Sequence, residues 1–587
     1  MKVNVGTLLA DSGPFRNGSQ CDIPYWNLSV KRQALRTKTL SNKEIPVMEK
    51  KAKITVHPGF RIGTIDPRLY GAFLEPIRNW VYGGIWNPSH ETADDMGFRQ
   101  DVLELVREFE LPALRFPGGN WVSGWDWKNS IGPVEQRKCQ LDYAWRQYEP
   151  NTVGQDEYME WVKRAKTTPL YTLNLNSASI NDAFHLVEYC NHPGGSYWSD
   201  LRRKNGHEEP YNIKTWYLGN EVDGSWQIAA WEKDPRGYAV KAHEISKIIK
   251  WLCPGAETVI CGSSSPHSRN YPAWDAKVLD TCYESVDYVS LHHYHTVPDN
   301  AFEAFLNGSG PIEDFITTVV SVCDYIKAKK RSPRKLMISF DEYGAHFAPQ
   351  EKPVYWWDLK RESQHEFRRE TVEQPFVFND PDDFDKGRRG ASGRDRYGQI
   401  YSALGLAVIA MTFLRHADRV KIACMTGFLH GAIGISGRRA WKNAAYYPYK
   451  HLNQFGRGVS LHTLIDGPVQ NIDQVMVNSY NTNPAFDSVQ VIEGCSALNE
   501  EKEEVTVFFV NRDLKDAISV DLDLRGFEGY QLIEHLEMSA EDLNAANSYE
   551  NPGALKPLAN AATKMENGHV YAAAKRLSWN CVRLGKK

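Results

Sequence analysis

Residues 215–221, TWYLGNE, combine the two features that decide the fold of this chain. A short apolar run, Thr215–Leu218, is followed directly by Gly219, Asn220 and Glu221. Similar short runs alternate with longer segments whose apolar residues recur every three or four positions, as in Phe98–Phe109. Strands alternating with amphipathic helices are typical of a parallel (β/α)8 barrel. The eight predicted strands are Leu69–Leu74, Ala113–Phe116, Leu170–Leu175, Thr215–Leu218, Thr258–Cys261, Val286–Leu291, Lys335–Phe340 and Arg419–Cys424.

The periodicity also predicts the domain organisation. The barrel extends over residues 66–457, and the short strand-like runs of residues 458–587 predict an antiparallel β-sandwich. Residues 51–65 alternate apolar and polar, so we expect this strand to join the sandwich. Residues 1–50 are polar and unpatterned, which predicts a loose extension. Residues 347–396 form a connection long enough to be a loop or lid insertion.

Composition excludes several functional classes. The formal net charge of −4 leaves no excess of basic residues that would attract nucleic acid. The sequence contains no run of 18 apolar residues, the length that a membrane span needs. The 10 cysteines include no CxxC pair, which argues against a zinc ribbon or thioredoxin-type chemistry. Several lie inside apolar runs, as Cys424 does, so we expect reduced core thiols and a cytoplasmic protein. No zinc-type spacing or phosphate-binding glycine motif occurs, so we expect neither metal nor cofactor.

Two glutamates end predicted strands on the side where barrel enzymes carry their chemistry. Glu221 follows strand 4 and Glu342 follows strand 7. Glycosidic cleavage needs one carboxyl group that protonates the leaving oxygen and a second that attacks or supports the anomeric carbon. We therefore predict a glycosidase site. Burial is expected to raise the pKa of Glu221, whereas Arg115 and Tyr294 are expected to keep Glu342 ionised.

Four motifs carry a resemblance to a known family. LRFPGGNWVSGWDW (114–127), TWYLGNE (215–221), SLHHY (290–294) and FDEY (340–343) together resemble glycoside hydrolase family 51. The resemblance covers roughly residues 51–587, apart from most of 347–396. It implies a barrel plus a β-sandwich and a retaining α-L-arabinofuranosidase that removes terminal arabinofuranose from plant-type polysaccharides or oligosaccharides. It also implies a homo-oligomer, a hexamer on the family pattern.

The same resemblance assigns roles to individual residues. Glu221 is the expected acid/base and Glu342 the expected nucleophile. The residues expected to bind the substrate are Glu75, Arg115, Asn120, Trp145, Asn220, His292 and Tyr294.

The chain departs from the family pattern around the expected sugar site. The family's usual residues are replaced at six positions, namely Pro76, Tyr343, Gly344, His346, Gly427 and His430. These differences leave open another furanosidase, such as one for galactofuranose, or an endo-xylanase or glucanase on the same site. A non-catalytic sugar-binding protein is the alternative outside the enzymes, although both carboxylates are present.

Overall fold

The computed structural model describes residues 50–586 except 78, 300, 349–397, 477–481 and 544, and these residues belong to one compact unit. The predicted extension (1–50) lies outside the described residues apart from Lys50. The predicted lid (347–396) likewise lies outside them apart from its first two residues, Phe347 and Ala348. Both therefore stay predictions.

Short strands alternate with helices through the larger part of the chain. In chain order, the strands are β1 Lys51–Thr64, β2 Gly71–Phe73, β3 Ala113–Phe116, β4 Gln140–Asp142, β5 Gln147–Glu149, β6 Thr168–Thr172, β7 Thr215–Leu218, β8 Glu257–Cys261, β9 Tyr288–Pro298, β10 Met337–Ala348, β11 Val420–Met425, β12 Ile433–Ile435 and β13 Ala440–Lys442. Eight of them close into a barrel in the order β2-β3-β6-β7-β8-β9-β10-β11, which confirms the predicted barrel.

The helices surround the barrel. They are α1 Gln100–Phe109, α2 Gly119–Val122, α3 Gln155–Ala165, α4 Ile180–Asn191, α5 Tyr197–Lys204, α6 Pro235–Leu252, α7 Ala273–Cys282, α8 Phe302–Phe305, α9 Ser309–Lys330, α10 Ile400–Arg415 and α11 Tyr446–Phe455. Helix α1 buries Val102, Leu103, Val106 and Phe109, the three-and-four spacing that forms one apolar face. Among the described helices, none has the length and apolarity to span a membrane.

Alternation along the barrel strands sets which side chains reach the interior. Ala113, Leu170 and Tyr217 belong to a buried cluster contributed by the barrel strands. Because successive side chains point to opposite faces, Arg115 shares the inward face of Ala113, one step nearer the carboxyl end. The interior thus changes from apolar to polar towards the rim where the predicted site residues lie.

Strands β9 and β10 are longer than the sequence predicts. They remain paired from Met337 opposite Tyr288 to Ala348 opposite Pro298. The prediction ended the two strands at Leu291 and Phe340 because polar residues follow each of them and interrupt the apolar run. Their mutual hydrogen bonds nevertheless continue the ladder and place Glu342 beside His292.

A second sheet follows the barrel. Its strands and the neighbouring hairpins are β14 Val459–Asp466, β15 Val469–Ile472, β16 Val475–Met476, β17 Thr482–Asn483, β18 Phe486–Gln490, β19 Ile492–Asn499, β20 Glu504–Asn511, β21 Ile518–Asp523, β22 Tyr530–Ser539, β23 Leu558–Ala559, β24 Lys564–Glu566, β25 His569–Ala574 and β26 Ser578–Lys586. The ten-stranded sheet has the order β23-β22-β26-β20-β19-β14-β1-β21-β25-β24.

This sheet has two buried faces. Val505, Val507 and Phe509 of β20 lie in the core of the sheet domain, whereas Phe508 and Val510 pack into the core that includes the barrel. All its pairings are antiparallel except that of β1 with β21, which is parallel. The fold is therefore a barrel with an additional sheet domain, as predicted, with this one parallel pair inside it.

Candidate active site

The nine predicted site residues lie at the carboxyl-terminal rim of the barrel. Arg115, His292, Tyr294 and Glu342 are on the barrel strands β3, β9 and β10. Glu75, Asn120, Trp145, Asn220 and Glu221 lie in the segments that follow β2, β3 and β7, with Trp145 in the turn between β4 and β5. Hydrogen bonds and ion pairs connect six of them, namely Arg115, Asn220, Glu221, His292, Tyr294 and Glu342. Gln227 links Asn120 to Glu221, and Trp145 donates to Glu75, whose pKa is raised by the charge of Glu342.

Glu342 is held by groups that favour its carboxylate form. Its Oε1 accepts a hydrogen bond from Arg115 Nη1 at 2.7 Å, and its Oε2 accepts one from the Tyr294 hydroxyl at 2.6 Å. Tyr294 is itself 3.1 Å from Thr426 Oγ1. Arg115 also donates to Asn220 Oδ1 at 2.8 Å. Both oxygens of Glu342 are thereby fixed in direction.

Glu221 is surrounded by three nitrogen donors. His292 Nδ1 lies 3.0 Å from its Oε1, while Trp226 Nε1 and Gln227 Nε2 lie 2.7 and 3.3 Å from its Oε2. The backbone of Glu221 is left-handed, with φ 45°, and follows Gly219 with φ 104°. Left-handed backbone costs a non-glycine residue about 1–2 kcal/mol, a strain of the kind concentrated at functional sites.

The two glutamates are close enough to act on one bond. Carboxylate oxygens of Glu221 and Glu342, together with a ring nitrogen of His292, all lie within 4.8 Å of one another. Retaining glycosidases place their two carboxyl groups about 5–5.5 Å apart, whereas inverting enzymes need a wider gap for water. The separation thus fits a double displacement.

His292 is the central cation of the site. Burial by itself lowers the pKa of His292, but the charges of Glu342 and Asp341 and the hydrogen bonds to Asp341 and Glu221 raise it to about 10. Arg115 and the protonated His292 therefore face the carboxylates Glu221, Asp341 and Glu342. A protonated imidazole has no free lone pair, so His292 in this form is not a metal ligand.

The pKa shifts of the two glutamates are opposite in direction to those expected from the sequence. Burial raises the pKa of Glu221, but the hydrogen bond and charge of His292, with Trp226 and Gln227, lower it overall. Burial and the charge of Glu221 raise the pKa of Glu342 despite His292 and Arg115. The expectation that burial decides the pKa of Glu221 is therefore wrong, because the hydrogen bonds and charge of its neighbours outweigh burial.

Glu75 is a buried carboxyl group close enough to Glu342 to interact with its charge. Its Oε1 accepts hydrogen bonds from the Trp121 backbone N–H at 2.8 Å and from Trp145 Nε1 at 2.7 Å. Burial and the charge of Glu342 raise the pKa of Glu75 well above its usual range. Gly119, with φ 70°, is required here because a Cβ at this position would come within 2.1 Å of the Glu75 carboxyl carbon.

Four contributors were not assigned a role from the sequence. Asp341 is fully buried, and its Oδ2 lies 2.9 Å from Arg115 Nε and 3.1 Å from His292 Nε2. The other three are Trp226 and Gln227 on Glu221 and Thr426 on Tyr294. The signal for Asp341 was an acidic residue that ends an apolar strand beside Glu342. The loop residues gave no comparable signal.

The positions that depart from the family pattern border this site. Gly427 has φ 78° and follows Thr426, which contacts Tyr294. The ring of His430 stacks on Trp80 with centroids 6.2 Å apart. Trp80 packs in turn against Phe73, whose ring lies under the Arg115 guanidinium. Gly427 is thus connected to Tyr294 through its neighbour Thr426, and His430 is connected to Arg115 through Trp80 and Phe73.

Two family models match the chain. The α-L-arabinofuranosidase 1 domain matches residues 105–307, and the α-L-arabinofuranosidase C-terminal domain matches residues 341–578. Together they include Glu221, Glu342 and most of the other site residues.

Named relatives agree with these models. The chain is 37% identical over 548 residues to an intracellular exo-α-(1→5)-L-arabinofuranosidase of Acetivibrio thermocellus, with 92% of this chain and 100% of that protein covered. It is 38% identical over 543 residues to a Bacillus subtilis protein of the same description, with the same coverage. A solved family 51 α-L-arabinofuranosidase from Bifidobacterium longum is 28% identical, covers 91% of this chain and 99% of its own, and has a TM-score of 0.77.

Proposed function

This chain belongs to the α-L-arabinofuranosidases of glycoside hydrolase family 51, and we propose that Glu221 and Glu342 are the residues that carry out its reaction. The enzyme is a retaining exo-α-L-arabinofuranosidase. The observation that carries the assignment is the separation of the two carboxylates, within 4.8 Å at the rim of the barrel.

The proposed reaction has two displacements. Glu342 attacks the anomeric carbon while Glu221 gives a proton to the leaving oxygen, so the glycosidic bond breaks and a covalent arabinofuranosyl–Glu342 ester forms. Glu221 then removes a proton from water, which attacks the same carbon and releases arabinose. Arg115 and Tyr294 orient Glu342 for both steps.

The remaining predicted residues are proposed to bind the sugar. Asn220 accepts a hydrogen bond from Arg115, which also donates to Glu342, and Glu75 accepts one from the Trp121 backbone N–H. Asn120 reaches the site through Gln227, which donates to its Oδ1 and contacts Glu221. Trp145 is proposed as an aromatic wall beside Glu75.

Finer properties are proposed from the relatives. Because the relatives above are described as intracellular and specific for (1→5) bonds, we expect a cytoplasmic enzyme that shortens (1→5)-linked arabino-oligosaccharides. Assembly into a hexamer remains a proposal from the family pattern.

Replacement of the nucleophile tests the assignment. Glu342→Ala is expected to lower kcat on an aryl α-L-arabinofuranoside at least about a hundredfold, a loss of ~3 kcal/mol or more. Azide should partly restore turnover and give an arabinofuranosyl azide of inverted configuration, because it fills the vacated position.

The matched control is Glu257→Ala. Glu257 begins β8 at the opposite end of the barrel, where it pairs with Arg68. This variant should keep most of the activity. An active Glu342→Ala enzyme, or one that azide does not rescue, contradicts the nucleophile assignment.

A further inference from the structure

The turn that carries Glu221 is anchored by a side-chain hydrogen bond on each side of this residue. Before it, Asn220 Oδ1 accepts from Arg115 at 2.8 Å. After it, Asp223 Oδ2 accepts from the Ser264 backbone N–H at 3.1 Å. Asn220 is fully buried and Asp223 is 5% exposed. The first bond leads to β3 and the second to the segment after β8, so the turn is tied to two other parts of the barrel rim.

The backbone conformation of this turn needs such anchors. Glu221 is left-handed, with φ 45°, and its carbonyl accepts from the Gly224 N–H at 2.9 Å. A left-handed residue with a side chain persists only where its surroundings compensate for the strain. A turn that loses an anchor can relax and move the carboxyl group. A general acid must lie within about 2.6–3.2 Å of the oxygen that it protonates, so even a small movement is costly.

The segment that receives the Asp223 bond is itself held in place. Asp275, a fully buried residue of α7, accepts from the Ser263 N–H at 2.9 Å and from the Ser263 hydroxyl at 2.6 Å. Ser264 follows directly in the chain. Because this end of the bond is fixed, loss of the Asp223 side chain should release the Glu221 turn rather than the segment after β8.

The surroundings of Asp223 favour its uncharged form. Burial raises the pKa of Asp223 to about 7, and the charges of Glu221 and Asp275 act in the same direction. Its Oδ1 and the Ser264 hydroxyl are buried, and neither has a hydrogen-bond partner within the described residues. A proton on Oδ1 supplies a donor that the Ser264 oxygen can accept, whereas a carboxylate would leave an unpaired buried charge. Asp223 thus anchors the turn without placing a second negative charge beside Glu221.

We propose that Asp223 is the positioning residue of the acid/base: its hydrogen bond to Ser264 holds the strained turn from which Glu221 reaches the leaving oxygen. The proposal rests on the assignment of Glu221 as acid/base. Asp223 makes no bond to the sugar in either displacement, and no proton of the reaction passes through it. It acts only on the position of the Glu221 carboxyl, so its loss should matter most where the leaving group needs a proton.

Two substitutions separate the hydrogen bond from the charge. Asp223→Ala removes the acceptor, whereas Asp223→Asn keeps an oxygen for the Ser264 N–H and an amide that can donate to the Ser264 hydroxyl. The two substrates are arabinofuranosyl-(1→5)-arabinose, whose leaving sugar needs a proton, and nitrophenyl α-L-arabinofuranoside, whose phenolate does not. At about pH 6, kcat/KM of Asp223→Ala should fall about tenfold more on the disaccharide than on the aryl substrate. Asp223→Asn should keep the wild-type ratio of the two values within about threefold.

A matched control removes the same kind of bond at the other end of the barrel. Asp287 Oδ2 accepts from the Thr258 backbone N–H at 2.8 Å, near the start of β8. Asp287→Ala should lower the urea midpoint of unfolding, because it too loses a side-chain anchor. Its ratio of kcat/KM on the two substrates should equal that of the wild type, because Asp287 is remote from Glu221.

Two results overturn the proposal: an equal loss of Asp223→Ala on both substrates, and an Asp223→Asn enzyme with the same unequal loss as Asp223→Ala. Asp223→Ser, whose hydroxyl is too short to reach the Ser264 N–H, should repeat the Asp223→Ala pattern and serves the test if that variant does not fold. Glu221→Ala is measured beside them. If it loses both substrates equally, the acid/base assignment itself fails, which is a different outcome from failure of the Asp223 proposal alone.

Discussion

The positive charge of His292 should stabilise the folded enzyme at neutral pH, and this stabilisation should be lost at alkaline pH. Its pKa is raised to about 10 from 6.5, so the folded protein holds this proton more tightly than the unfolded chain does. The resulting stabilisation is fully present below pH 6.5 and is lost as the pH rises through about 10. His292→Asn removes the charge and keeps an amide that can donate to Glu221.

The size of the effect follows from the two pKa values. One unit of pKa difference corresponds to about 1.4 kcal/mol, so the free-energy difference between the wild type and His292→Asn should shrink by about 2–3 kcal/mol between pH 7 and pH 9. The measurement is urea unfolding of both proteins at several pH values. A difference that stays flat or grows across this interval refutes a protonated His292.

A second buried histidine on the same strand provides the control. Burial lowers the pKa of His295 to about 4, so it is neutral in the folded protein. Its stabilising effect is present above pH 6.5 and is lost as the pH falls through about 4. His295→Asn should therefore differ from the wild type by a constant amount above pH 7, and by a varying amount only at acid pH.

Two further substitutions test the site. Glu221→Ala should reduce kcat/KM far more for arabinobiose than for an activated aryl arabinofuranoside, because a phenolate leaves without a proton and a sugar does not; equal losses contradict the acid/base role. Gly119→Ala places a Cβ 2.1 Å from the Glu75 carboxyl and should raise KM at least about tenfold, whereas Gly195→Ala, at φ 88° with open space around it, is the control for backbone strain and should leave KM unchanged.

Residues at strand ends could be predicted because local pattern sets their position. Alternation along β3 directs Arg115 inward, and parallel strands bring Glu221 and Glu342 to the same rim. A charged residue that directly follows an apolar run can therefore be placed at the barrel rim from the sequence alone. It does not contain the paired extension of β9 and β10, because that depends on hydrogen bonds between strands rather than on apolar residues.

The charge state of the site depends on contacts between distant segments, so burial alone could not predict it. His292 is 71 positions from Glu221 in the sequence, and it reverses the effect that burial has on that carboxyl. Trp226 is close in sequence, yet its contact depends on a turn that only Gly224 permits. Gly427 makes the same point for the sugar site. Its φ of 78° means that a glutamine at this position would strain the backbone, and the sequence alone did not indicate this preference for glycine.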